Sequence, residues 1–248
     1  MEAYKMDGIK QLGDWIRQAE SIVFFGGAGV STASGIPDFR SAHGIYAGPH
    51  GRTYEEMLHV DYMLRYPEPF WDFYRSVMLY PTAAPNRAHH ALRALEEGGK
   101  LTAVITQNID GLHQAAGSQN VLELHGSVHR NYCMGCGARY SLEEILPMAT
   151  VPRCPVCGGS IRPDVVLYGE PLDDRITQAA LSAIRTCDLL IVGGTSLVVY
   201  PAAGMIEYRR ARCNMVLINR DATGYDRQAE LVLHEDIGTV LEAAMAGV

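Results

Sequence analysis

Four of the six cysteines in this 248-residue sequence stand in two tight pairs, Cys133/Cys136 and Cys154/Cys157, with 17 residues between the pairs. One Cys-x-x-Cys turn can present two sulfurs to a single ion, and a second completes a tetrahedral four-thiolate zinc site. Gly135, Gly137, Gly158 and Gly159 permit such turns. Four thiolates leave no position open for water, so this zinc is expected to be structural. Two disulfides, four free thiols or a ribbon that contacts nucleic acid would use the same residues. Disulfides do not suit a reducing compartment. The charge balance, 21 Lys and Arg against 28 Asp and Glu, gives a formal net charge of −7 and does not suit a phosphate backbone. Cys187 and Cys213 stand alone before apolar runs and are expected to be buried, unreactive thiols.

A second group could handle phosphate. Gly26-Gly27-Ala28-Gly29-Val30-Ser31 follows the apolar run 22–25. A strand entering a glycine turn that opens a helix is how α/β folds hold a pyrophosphate. The dehydrogenase fingerprint is incomplete, because Thr32 replaces its third glycine and no acidic residue closes a second strand about 20 residues on. An ordinary glycine turn therefore stays open on this segment alone. Gln107, Asn108, Ile109 and Asp110 follow the run 103–106, at the carboxyl end of a buried strand, where ligands of open sheets bind. Read alone, the segment could also be a helix N-cap, with Asp110 serving the backbone. His125 follows the run 121–124 and could act as a base near neutral pH, or simply be structural. His89, His90 and His113 are expected to be structural.

These residues need a frame. Short apolar runs at 22–25, 103–106, 121–124, 165–168, 189–192, 216–218 and 231–233 suit strands buried on both faces. Helical patterns at 88–97, 173–186 and 202–212 alternate with them. The pattern predicts an α/β fold with a doubly wound parallel sheet. Two stretches break the alternation. The first, 41–85, is rich in Tyr, Pro and His, carries the cluster Phe70, Trp71, Phe73, Tyr74, and reads as a helical insertion. The second, 129–162, carries the cysteine pairs. No apolar run reaches the length of about 18 residues that a membrane span needs. Met1 to Lys10 lacks the pattern of a secretory leader, so a cytoplasmic location is expected.

Ordered motifs then sharpen the reading. Gly27-Ala28-Gly29-Val30-Ser31 with Gly35-Ile36-Pro37-Asp38-Phe39-Arg40 resembles the sirtuin signature. Thr106-Gln107-Asn108-Ile109-Asp110-Gly111-Leu112-His113, Leu124-His125-Gly126, the four cysteines, Tyr168-Gly169-Glu170 and Gly194-Thr195-Ser196-Leu197 follow in that family's order. The resemblance runs from Ile22 to about Ala243, with Gly26 where the family usually has Thr and Tyr168 where Phe is common.

The resemblance implies a Rossmann-like domain from 1–40, 86–128 and 163–248. A small domain is implied from the helical module 41–85 and the zinc ribbon 129–162. It implies NAD⁺-dependent removal of acetyl groups from protein lysines, giving nicotinamide, acetyl-ADP-ribose and free lysine. The alternatives are ADP-ribosyl transfer to a protein nucleophile, a non-catalytic NAD⁺ or ADP-ribose binding module, and a redox Rossmann enzyme. By the same resemblance Ala28, Thr32, Phe39 and Arg40 line the cofactor loop. Gln107 and Ile109 flank Asn108, which orders a water near the ribose, and Asp110 meets the nicotinamide amide. His125 assists the ribose 2′-hydroxyl. Thr195 and Ser196 take phosphate or ribose oxygens, Asn219 the adenosine ribose, and Asp236 and Ile237 flank the adenine. Acetyl-lysine would enter past Val166 and Phe39, its backbone adding as a strand between 166–169 and 198–200. A lysine-acetylated protein or peptide is the expected partner, with no nucleic acid, no membrane, and a monomeric chain.

Overall fold

The computed structural model describes residues 2–39 and 53–246. Along the chain the elements are α1 (Glu2–Gln18), β1 (Ile22–Gly26), α2 (Tyr54–Met57), α3 (Val60–Arg65), α4 (Pro67–Phe73), α5 (Arg87–Glu97), β2 (Leu101–Thr106), α6 (Leu112–Ala115), β3 (Val121–Glu123), β4 (Gly126–Cys133), β5 (Arg139–Ser141), α7 (Leu142–Ile145), β6 (Ile161–Val165), α8 (Asp174–Thr186), β7 (Leu189–Gly193), β8 (Asn214–Ile218), β9 (Leu231–Leu233) and α9 (Ile237–Met245). Among these, no helix is long and apolar enough to cross a membrane.

β1 is buried at all five positions because its two faces feed two different cores. Ile22 and Phe24 pack with Leu12 and Ile16 of α1, Leu92 of α5 and Val240 and Leu241 of α9. Val23 and Phe25 pack with Ala180 and Ile184 of α8 and with Met205 and Ile206. Six strands form one sheet in the order β3-β2-β1-β7-β8-β9, every pair parallel. The order reverses between β1 and β7, so a crevice opens at the carboxyl ends of those two strands. This is the Rossmann-like α/β sheet expected from the alternation of runs.

Two expectations need correction. The run 165–168 is not a strand of the parallel sheet. Its start belongs to β6, which pairs antiparallel with β4 in a separate three-stranded sheet, β5-β4-β6. Val165 and Leu167 are buried while Val166 and Tyr168 are only half-buried, so the run has one covered face and not two. The helix expected at 202–212 is a 3-10 helix over Ala202–Tyr208. α1 and α9 are helices beyond the three that the apolar pattern predicts.

The two inserted stretches share one core. Phe70, Trp71 and Tyr74 pack with Leu142, Ile145, Ile161 and the cysteines Cys133 and Cys154. Arg75 fastens the halves together, donating to the carbonyls of Leu146 at 2.8 Å, Ile145 at 3.1 Å and Ala149 at 3.2 Å. A π-helical turn, Tyr74–Met78, follows α4 here.

Behind the crevice, α5 and α6 meet through two buried imidazoles. His89 and His113 are 0% and 1% exposed, with ring centroids 4.7 Å apart. His89 Nδ1 accepts the amide of Asn86 at 3.2 Å, closing a capping box on α5. Among the described residues, neither ring nitrogen of His113 has a hydrogen-bond partner. Burial, above all, lowers His89 from 6.5 to about 4, with Asp110 opposing and His90 reinforcing the shift. Burial likewise lowers His113 to about 3, helped by His89. The unfolded chain therefore takes up these protons below pH 6.5 while the folded chain refuses them. The stability is intact above pH 6.5 and is lost as pH falls toward the folded values, by roughly 1 kcal/mol per ring at pH 5.5. Denaturant midpoints at pH 7.5 and 5.5 measure this, and His113→Phe should remove roughly half of the drop due to the pair. An unchanged pH slope in that variant rules the ring out.

Candidate active site

After β1 the chain makes two tight 3-10 turns, Ala28–Val30 and Thr32–Ser34, and leaves through Gly35 at φ 83°. Gly29 donates its amide to the Gly194 carbonyl at 2.8 Å. A Cβ on Gly29 would lie 2.8 Å from the Gly194 Cα, and one on Gly27 would lie 2.9 Å from Thr195 Cβ. Glycine is required because the loops after β1 and β7 touch across the crevice. From behind, Asn86 Nδ2 donates to the Val30 carbonyl at 2.8 Å and to Ser34 Oγ at 2.9 Å.

The loop after β2 is tied to both neighbours. Gln107 donates its amide to the Gly26 carbonyl at 2.9 Å and its side-chain nitrogen to Thr195 Oγ1 at 3.0 Å. Asn108 Nδ2 donates to Ser31 Oγ at 3.1 Å, and Ser31 Oγ donates to Asp110 Oδ2 at 2.6 Å. Asp110 Oδ1 accepts the Leu112 amide at 2.9 Å. Asp110 thus serves the start of α6 and faces the cavity at once, so the two readings of this residue are compatible.

His125 sits just past β3. Its Nδ1 lies 2.9 Å from the Gln107 carbonyl, which can only accept, so Nδ1 carries the proton and Nε2 is the bare nitrogen. Burial lowers its pKa below the ordinary imidazole value, opposed by the Gln107 carbonyl. The ring is therefore neutral at pH 7, with a lone pair available at Nε2.

On the far side of the crevice, Asn219 Oδ1 accepts the Thr195 amide at 2.9 Å. Asn219 Nδ2 is buried without a partner among the described residues, a donor left for a ligand oxygen. Asp236 caps α9 through the Thr239 amide at 3.0 Å and also meets Arg220 at 3.0 Å. The Ile237 side chain belongs to the core, 4% exposed, so only its edge reaches the crevice.

One cavity of about 680 Å³ joins these parts. It is lined by Ala28, Thr32, Phe39, Gln107, Asn108, Ile109, Asp110, His125, Thr195, Ser196, Asn219, Asp236 and Ile237. Every expected cofactor residue that the structure describes is among them; Arg40 lies outside the described residues. Val166, Tyr168, Val199 and Tyr200 line the same cavity. The volume fits a ligand larger than a mononucleotide or several together. The glycine cradle, the orphaned Asn219 amide and the position at the sheet's switch point fit a dinucleotide.

Sequence reasoning missed Ser31 and His129. Ser31 is fully buried and bridges Asn108 to Asp110, residues more than 70 positions away. It stands inside a quoted motif, yet its spacing gives no sign of a partner so far along the chain. His129 Nε2 lies 3.0 Å from the Asp110 carbonyl. It falls in the stretch read only for its cysteines.

The metal centre lies in the three-stranded sheet. The sulfurs of Cys133, Cys136, Cys154 and Cys157 all lie within 4.8 Å of one another. Sγ of Cys133 and Cys157 are 3.4 Å apart, and those of Cys136 and Cys154 are 3.6 Å apart. A tetrahedron of Zn–S bonds has sulfur–sulfur edges of about 3.8 Å, whereas a disulfide needs about 2.05 Å. The donor set and its spacing fit zinc. A Cβ on Gly159 would sit 2.9 Å from Cys133 Sγ, so the knuckle has room for nothing larger than glycine there. Cys187 and Cys213 are 0% and 1% exposed in the main core, their sulfurs 3.4 Å apart, as expected of buried thiols outside the metal centre.

Residues 27–201 match the model of the Sir2 family. The chain is similar to the NAD-dependent protein deacetylase of Clostridium perfringens, at 54% identity over 95% of this chain and 97% of the relative. It is similar to that of Clostridium acetobutylicum at 53% identity over 97% and 99%. Among solved structures it is similar to Sir2 with a p53 peptide and NAD⁺, with a TM-score of 0.86 and 38% identity over 96% and 97% of the two chains. A Sir2 variant with a deacetylated p53 peptide and 3′-O-acetyl-ADP-ribose gives a TM-score of 0.89, again at 38% identity over 96% and 97%.

Proposed function

The chain belongs to the Sir2 family, and from that premise and the geometry of the cleft we infer that it is an NAD⁺-dependent protein-lysine deacetylase. Its products are nicotinamide, acetyl-ADP-ribose and free lysine. One observation carries the reading beyond the family: Asn108, Asp110 and a neutral His125 with a bare Nε2 converge on one cavity at the switch point of the sheet. When bound, NAD⁺ supplies an activated glycosidic bond that the acetyl oxygen can attack. The chain's own residues do the rest. The Gly27–Ser31 turn, Thr195, Ser196 and Asn219 hold phosphate and ribose oxygens. Asp110, braced by Ser31, orients the leaving amide. Asn108 positions a water, and His125 Nε2 takes a proton from a ribose hydroxyl. Asp236 and Ile237 border the adenine. Acetyl-lysine passes Phe39 and Val166, and its backbone adds beside 166–169. The division into a Rossmann-like domain and a small domain of two insertions is proposed on the same grounds.

The test is to incubate the protein with NAD⁺ and an acetyl-lysine peptide and to follow nicotinamide and acetyl-ADP-ribose by mass. Nicotinamide release that ignores the peptide would point to ADP-ribosyl transfer or plain hydrolysis instead. Acetylated proteins or peptides are the partners this reading requires; the net charge of −7 gives nucleic acid no footing. A cytoplasmic location suits a centre of four reduced thiols.

The acyl group should be small and uncharged. Family members that prefer succinyl or malonyl groups resemble one another in a Tyr-x-x-Arg pair. Here Val77 stands where that arginine is needed, and it lines the cavity. Arg75 is engaged by three carbonyls and lies over the Trp71 ring, 5.5 Å from its centroid. A succinyl carboxylate would enter without that partner, so a succinyl peptide should turn over at least about tenfold more slowly than its acetyl twin. Parallel kcat/KM measurements decide it, and a faster succinyl reaction overturns it.

A further inference from the structure

We propose that His129 is a positioning residue for the end of the cleft that holds nicotinamide, fixing the Asp110 loop from the zinc-bearing sheet. The proposal rests on the deacetylase reading and on the role of Asp110 in it. The backbone of the loop 108–111 is gripped by β4. Val128 donates its amide to the Ile109 carbonyl at 2.9 Å. One residue on, His129 Nε2 meets the Asp110 carbonyl at 3.0 Å. A carbonyl only accepts, so Nε2 is the protonated nitrogen, and further protonation at Nδ1 would leave the bond in place. Consecutive carbonyls of the loop are thus held by consecutive residues of one strand.

Gly111 makes room for this. Its φ is 72°, and a Cβ there would stand 2.7 Å from His129 Cδ2 and 2.9 Å from Nε2. The imidazole lies against bare backbone at the turn where the loop enters α6. Asp110's side chain is tied on the other side, to Ser31 and to Leu112. Its carboxylate is therefore placed by Ser31 and its peptide plane by His129. Without the imidazole, the carbonyl turns to water and the plane is free to rotate, which blurs the carboxylate's aim without removing it. His129 itself also borders the cavity, yet nothing in the proposed chemistry requires it to touch the reacting atoms.

The test uses the full-length, zinc-loaded protein with NAD⁺ and an acetyl-lysine peptide. His129→Ala should raise both the KM for NAD⁺ and the nicotinamide concentration for half-inhibition about fivefold, the weight of one neutral hydrogen bond. The KM for peptide should stay within about twofold, since the peptide-binding edge at 166–169 is not involved. His129→Gln should restore both values to within about twofold, because its side-chain nitrogen can reach the same carbonyl. Zinc content and Tm are followed in each variant. Parent-like NAD⁺ and nicotinamide values in His129→Ala overturn the proposal. So does a glutamine variant as impaired as the alanine one, or impairment that only follows lost zinc or lowered Tm. If the parent protein releases no nicotinamide with acetyl-peptide, the deacetylase reading falls first and this proposal with it.

Discussion

His125→Ala should lose deacetylation by roughly 10²–10⁴-fold while it retains exchange of labelled nicotinamide into NAD⁺. The two reactions share their first stage and differ in the second. Departure of nicotinamide needs an attacking acetyl oxygen and an oriented leaving group, and no base. Release of the acetyl group from lysine needs a ribose hydroxyl deprotonated, and His125 Nε2 is the nitrogen left bare by the Nδ1 bond to Gln107. Asp110→Ala should reverse the pattern. It removes the carboxylate that Ser31 and Leu112 hold at the cavity, proposed to meet the leaving amide, and a lost charge-assisted hydrogen bond lowers exchange by roughly 10–100-fold. Burial adds a pH signature. It keeps His125 neutral below the ordinary imidazole range, so the acid limb of kcat/KM should lie below pH 6.5, and His125→Ala should lack it. Both rates, measured in both variants at saturating peptide, decide the assignment. Near-parent deacetylation by His125→Ala returns this histidine to a structural role.

How much of this could be read before the structure depends on how local each signal is. β1 and β7 declare themselves because both faces of each strand are covered, which leaves continuous apolar runs. The run 165–168 misleads for the complementary reason. Val166 and Tyr168 are apolar because they line the cleft and not because a second layer covers them. α1 carries its core residues Ile9, Leu12 and Ile16 at helical spacing, but polar residues between them leave no continuous apolar run to mark the segment. Asp236 caps α9, its carboxylate accepting the Thr239 amide, and one acidic residue before a short apolar stretch marks a helix start only weakly. The cysteine spacing is legible because four ligands in two knuckles constrain sequence directly. Ser31 and His129 are not legible. Each acts through a single bond to a residue brought near by the order of strands, and no periodicity records that order.

Removing the metal should disable the protein without touching a proposed NAD⁺ contact. One zinc per chain is expected, and Cys154→Ala should lose both the zinc and the activity. Binding at a four-cysteine site can contribute on the order of 10 kcal/mol to local folding. The metal is built into the packing of the three-stranded sheet, because two of its sulfurs, Cys133 and Cys154, belong to the same buried cluster as Leu142, Ile145 and Ile161. Its hydrogen bonds run through the knuckles: Cys133 donates to Ala138, Gly137 to Cys133, Cys154 to Gly159 and Gly158 to Cys154. When the knuckles open, β4 loses its register with β6, and with it the Val128–Ile109 and His129–Asp110 bonds that reach into the cleft. Damage therefore spreads from the zinc to Asp110, while the parallel sheet keeps its own two cores. Hydrogen exchange separates the two regions: amides of 126–165 should lose protection in Cys154→Ala while those of β1 and β7 keep theirs. Cys187→Ala is the control. It removes a buried thiol far from the metal, so it should keep the zinc and the activity and lower stability by about 1–2 kcal/mol. Zinc-free protein with parent activity, or Cys154→Ala with parent activity, would end the argument that this centre holds the cleft together.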